Sequence, residues 1–103
     1  MHNCRITVVK RSHFPDLINR FLNKDYQKTP FEECERFREG QTFLVTDPNK
    51  MPEGFCAWAW TDIHREMVAL MSGGDLDWMK DKGTAITCCT DGFRPVVFLL
   101  ERV

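Results

Sequence analysis

At 103 residues, 43% hydrophobic and 28% charged, the chain has the make-up of one globular domain and not of a disordered segment. Its 14 basic and 15 acidic residues leave a formal charge of −1, which gives no general attraction to phosphate backbones and sets nucleic acid aside as a partner. No stretch reaches the roughly 18 apolar residues of a membrane span, and the opening MHNCRITVVKR lacks the apolar run of a secretion signal.

Residues 4–10 alternate Cys4, Ile6 and Val8 against Arg5 and Thr7, with Val9 out of step, and predict a strand with one face inward. Ser12 is placed to cap a helix over 15–25, with Pro15 and Asp16 in its first turn and Leu17, Ile18, Phe21 and Leu22 on one stripe. Thr29-Pro30-Phe31-Glu32 matches a capping box and predicts a short helical turn over 30–38, closed by Gly40 in a left-handed conformation. Lys10, Arg11, Arg20, Lys24 and Lys28, followed by Glu32, Glu33, Glu35 and Glu39, read as solvated faces of opposite sign. A strand follows over 41–46, then a loop through Asp47-Pro48-Asn49 and Pro52-Glu53-Gly54.

Trp60, Ile63, Met67, Leu70 and Met71 keep helical spacing in a helix over 57–72 that Gly73-Gly74 stops. A polar loop with Trp78 as its anchor leads to a strand over 85–90, a short hairpin at Asp91-Gly92 and an apolar strand over 95–102. The last run is apolar on both faces, which marks a central strand with the first strand as its antiparallel neighbour. These elements amount to a single α+β domain: a mainly antiparallel sheet of about four strands, able to curl into a partial barrel, with two main helices and a short third.

Five cysteines, an odd number without the spacing of a disulfide ladder, imply free thiols in the cytoplasm. In FCAWAW, residues 55–60, Trp58 and Trp60 point about 200° apart on a helix, so they cannot share a face. Trp60 fits the core stripe; Trp58 either packs on the sheet or walls a ligand pocket. In CCTDG, residues 88–92, Cys88 and Cys89 should diverge along a strand, one packing and the other free to serve as a ligand beside Asp91. Asp91 has an equally good role within the turn.

Cys34, Cys56 and one of Cys88 or Cys89 lie on three separate elements. Should folding unite them, they suit zinc or another soft metal, with His64 or Asp91 as a fourth ligand, or they suit redox chemistry. Buried inert thiols are the plainer alternative, since no CxxC or HxxxH knuckle is present. His64 also reads as a partly buried structural residue on the apolar stripe. Cys56 and His64 stand roughly 12 Å apart along a helix and make no nucleophilic dyad within it. GxSxG, P-loop and GxGxxG motifs are absent, so no reaction class follows.

Taken together, Phe37-Arg38-Glu39-Gly40-Gln41-Thr42-Phe43, GFCAWAWTDI, Gly73-Gly74 and CCTDGFRPVVFLLER resemble a family of small uncharacterised prokaryotic proteins about as long as this chain. The resemblance implies cysteines at Cys34, Cys56 and Cys89 as a group, the last in a Cys-Pro-Asp-Gly-like turn. This chain has Thr90 where that proline often stands and Cys88 as an added neighbour. The resemblance implies no activity. Two functions are therefore expected to compete: a soft-metal or redox centre at clustered cysteines with Trp58 walling a pocket, and a non-catalytic small-ligand or protein interaction module with structural cysteines.

Overall fold

The apolar run VVFLLER forms β4 (Val96–Arg102), and it lies between two neighbours as its composition demands. In the computed structural model, which describes residues 1–103, β4 pairs antiparallel with β1 (Cys4–Arg11) and with β3 (Thr84–Cys88). β2 (Thr42–Val45) pairs antiparallel with β1, giving the order β2-β1-β4-β3. β2 and β3 never meet, so the sheet stays open and does not curl into a barrel; closing one around filled side chains takes about eight strands.

One sheet face is covered by α2 (Ala57–Met71), whose Ala59, Ile63, Met67, Leu70 and Met71 are buried. They meet Ile6, Val8, Ala85, Phe98 and Leu100 in a single core. Each fully buried Ile, Leu, Met or Phe contributes about 1.5–3 kcal/mol. No layer covers the other face, and Val97 and Leu99 there are only half-buried. No helix is long and apolar enough to cross a membrane.

The out-of-step Val9 has a structural cause. The β1–β4 register slips between Val8 and Lys10, a β-bulge that leaves Val9 unpaired. Beyond it Arg11 lies opposite buried Val96 and therefore on the α2 side of the sheet. There its Nη1 donates to the carbonyls of Cys34 (3.0 Å) and Phe37 (3.2 Å).

That contact bears on the helix expected over 30–38, which does not form: residues 28–41 are irregular. Carbonyls that a helix would use are taken by Arg11, while Gly40 N–H donates to Val8 and Val8 N–H to Gln41. Long-range partners thus outcompete a local capping box. Gly40 does take a left-handed conformation, φ 86°, but closes a turn rather than a helix.

The helix expected over 15–25 is also shorter. α1 (Pro15–Phe21) ends at extended Leu22, and Asn23 caps a separate 3-10 turn over Lys24–Gln27. Its N-cap is Phe14 rather than Ser12, and of its apolar stripe only Ile18 is buried. Trp78 anchors nothing and is 76% exposed. Its loop is held by Asp75, which accepts from Gly83 N–H (2.8 Å) and Arg102 Nη2 (2.9 Å).

Candidate functional site

Two irregular segments, residues 28–41 and 89–95, meet the start of α2 at one end of the sheet. Between them is a cavity of about 440 Å³. Cys34 reaches it from the first segment, Cys56 from the N-cap of α2, and Cys89 from the position just after β3. All three are half-buried free thiols. The three cysteines singled out from the sequence therefore line one cavity.

The neighbouring cysteines behave differently. Cys88 and Cys89 diverge as strand alternation requires, Cys88 being exposed on the uncovered face. Burial pushes the Cys88 thiol up, with the charges of Cys89 and Asp62 adding to the effect. Cys4 sits in the core, where burial pushes its thiol up to about 11 and leaves it unreactive near neutral pH.

Cys89 is held from both sides of its own peptide. Its N–H donates to Val96 O (3.1 Å), and its Sγ accepts from Val96 N–H (3.3 Å). The short hairpin expected at Asp91-Gly92, between strands 85–90 and 95–102, is a longer, seven-residue loop shaped by Asp91. Asp91 Oδ1 accepts from the N–H groups of Phe93 (3.0 Å) and Arg94 (3.1 Å), and its side chain also faces the cavity. Asp91 thus fills the turn role weighed for it and also lines the cavity.

Trp60 packs edge-on against Phe55 (6.1 Å between centroids) and His64 (5.4 Å), joining the core as its spacing predicts. Trp58 is 72% exposed and lines the cavity mouth. Its indole N–H donates to Thr90 Oγ1 (3.2 Å). Thr90 in turn donates its N–H (2.8 Å) and its hydroxyl (3.0 Å) to Asp62 Oδ2 on α2. This clip ties the loop bearing Cys89 to the helix bearing Cys56. A proline at position 90 would lack both donors, so Thr90 has a definite job here.

His64 is not with the cysteines. Its Nε2 lies 2.8 Å from Pro48 O, pinning the 47–54 loop to α2, and it does not line the cavity. No three His, Cys, Asp or Glu side chains are arranged to hold a metal ion.

Sequence reasoning missed Arg36, Arg94, Phe93 and the Asp62–Thr90 clip. The Arg94 guanidinium carbon lies over Phe31, 4.3 Å from the ring centroid, and Phe31 meets Phe93 edge-on. These contacts join the two cavity segments, and no spacing signal within either segment could have shown them. The lining includes two arginines, Arg36 and Arg94, and one carboxylate, Asp91, which pairs with Arg94 at 3.6 Å. Comparison of the chain with protein-family models, with curated proteins and with solved structures finds no match.

Proposed function

We propose that the protein acts through the thiols of Cys34, Cys56 and Cys89 as a soft-metal or redox centre set in a small-molecule cavity. One observation carries this: three cysteines far apart in the chain line the same cavity, while the other two do not. The redox branch is the better supported. A metal would have to draw at least three ligands together, and the resting side chains are not preassembled for that. Thiol redox chemistry needs only one accessible sulfur and a partner. The setting is a reducing compartment such as the cytoplasm, in which free thiols persist.

The test joins elemental analysis to thiol titration on reduced, folded protein, with the modified residues identified by peptide mapping. Either a soft metal such as zinc should be bound stoichiometrically and lost in Cys34→Ser, Cys56→Ser or Cys89→Ser, or the cavity thiols should react faster than an ordinary thiol. Metal-free protein in which only Cys88 reacts would end this reading.

A second reading has its own support. Walls of Phe37, Trp58, Ala59 and Val96 around a volume within the usual 300–1,000 Å³ range suit a non-catalytic small-ligand module. In that case the three Cys→Ser variants would leave ligand binding unchanged.

A further inference from the structure

We propose that the ligand of this cavity is a low-molecular-weight disulfide carrying carboxylate groups, held through its charge by Arg36 and Arg94 and attacked at sulfur by a cavity thiol. The inference rests on the thiol-centre reading above and names the chemistry of its substrate.

Three features of the lining converge on that class. First, the lining holds two guanidinium groups, of Arg36 and Arg94, but a single carboxylate, that of Asp91, whose Oδ1 already accepts two backbone N–H bonds. Second, Arg94 Nε is buried and ion-paired with Asp91 Oδ2 at 3.6 Å, which orients the guanidinium, while its terminal nitrogens donate to no protein acceptor. A guanidinium fork is the natural receptor for a carboxylate. Third, the remaining walls are apolar, with Phe37, Trp58 and Val96 beside the three thiols.

An apolar ligand would remove water from the Arg94 terminal nitrogens and leave the excess positive charge of the lining unmatched, at a cost. A simple anion would leave the sulfurs idle. A small carboxylate disulfide satisfies all parts of the lining: acid groups for the arginines, short methylene arms for the apolar walls, and an electrophilic sulfur for a thiolate. The covalent step balances without a further oxidant. One cavity thiol gives its proton to solvent, and its sulfur bonds to one sulfur of the ligand. The ligand's S–S bond breaks, and the departing thiolate takes up a proton. The products are a protein mixed disulfide and one small thiol.

Three probes of similar size and different charge test the idea: dithiodipropionate, bis(2-hydroxyethyl) disulfide and cystamine. Each is added to the reduced full chain, and adducts are timed by intact mass and assigned by peptide mapping. Rates are taken relative to a free thiol in solution. Dithiodipropionate should modify a cavity cysteine fastest and cystamine slowest. Arg36→Gln and Arg94→Gln should each slow dithiodipropionate by roughly two- to fivefold and leave the hydroxyethyl probe unchanged. Arg94→Lys keeps the charge and should retain more of the rate than Arg94→Gln, while the exposed Arg36 can be replaced without disturbing packing.

Equal relative rates for the three probes, or a preference that survives both arginine changes, would overturn the ligand class while leaving the thiol centre standing. If no cavity cysteine of the folded, metal-free protein reacts with any probe, both proposals fall together.

Discussion

The two ends of α2 are finished in opposite ways. At the C-terminal end Gly73 N–H bonds to Leu70 O and Gly74 N–H to Ala69 O, a Schellman closure with Gly73 at φ 94°. Arg102 adds donors to Leu70 O (3.2 Å) and Gly74 O (2.6 Å) and pairs with Asp75. At the N-terminal end the cap residue is Cys56, which makes no side-chain capping bond, and no acidic residue follows in the first turn. One end is closed by everything its surroundings offer; the other lacks a standard device and opens on the cavity. The C-terminal end is thus reinforced, and the N-terminal end carries a thiol in place of a capping side chain.

Breaking the closed end should have the largest effect. Arg102→Met would leave Gly74 O without its side-chain donor and take one of the donors from Leu70 O and from Asp75, while keeping most of the side-chain volume. Its expected cost is about 2–4 kcal/mol in urea unfolding, given one largely buried charge serving several acceptors. Labelling of the cavity cysteines in the folded protein should not change. If it does, the two ends are coupled and the contrast between them is wrong.

The open end predicts a smaller effect with a more particular form. Cys56→Ser and Cys56→Ala both remove the thiol, but serine can accept a hydrogen bond from the first turn of α2 and alanine cannot. The serine variant should therefore be about 1 kcal/mol more stable than the alanine variant, a difference readable as a shift in urea midpoint. Both should lose the same cavity thiol. Equal midpoints would mean that this helix end gains nothing from a cap.

What could be read from residues alone follows the same division. The closed side is written in local patterns: Trp60, Ile63, Met67, Leu70 and Met71 share a helical stripe, and Val96–Leu100 is a central strand, because burial there repeats with the period of the element. The cavity side is built from contacts between distant segments. Thr29-Pro30-Phe31-Glu32 obeys a capping rule, yet Arg11, turned by the bulge at Val9, takes the carbonyls of Cys34 and Phe37. Cys34, Cys56 and Cys89 have no spacing signature, since topology alone brings their three segments together. Trp78 departs from expectation for a related reason, and of the two readings of His64 the structural one is what the fold supplies. A histidine on an apolar stripe and a tryptophan in a polar loop look functional or anchoring until their neighbours are known, and here the partners are Pro48 O for one and open solvent for the other.

The smallest predicted effect refines the closed end through its acid dependence. The hydrogen bond from Arg102, with help from Gly83 N–H, holds the Asp75 carboxyl below its ordinary value of 3.8. A carboxyl depressed in the folded state releases its proton more readily there than in the unfolded chain. Its stabilising contribution is therefore complete above pH 3.8 and is lost as pH falls through the lower folded value. Asp75→Asn should flatten the acid limb of the stability curve in that window and leave its slope near neutrality unchanged. Because Asp75 is exposed, the effect should also shrink in high salt. In the Arg102→Met background the same substitution should do far less, since the cation responsible for most of the depression is gone. An acid limb that responds equally in both backgrounds would assign the depression to the Gly83 amide, and the closure of α2 would then depend on the loop backbone rather than on Arg102.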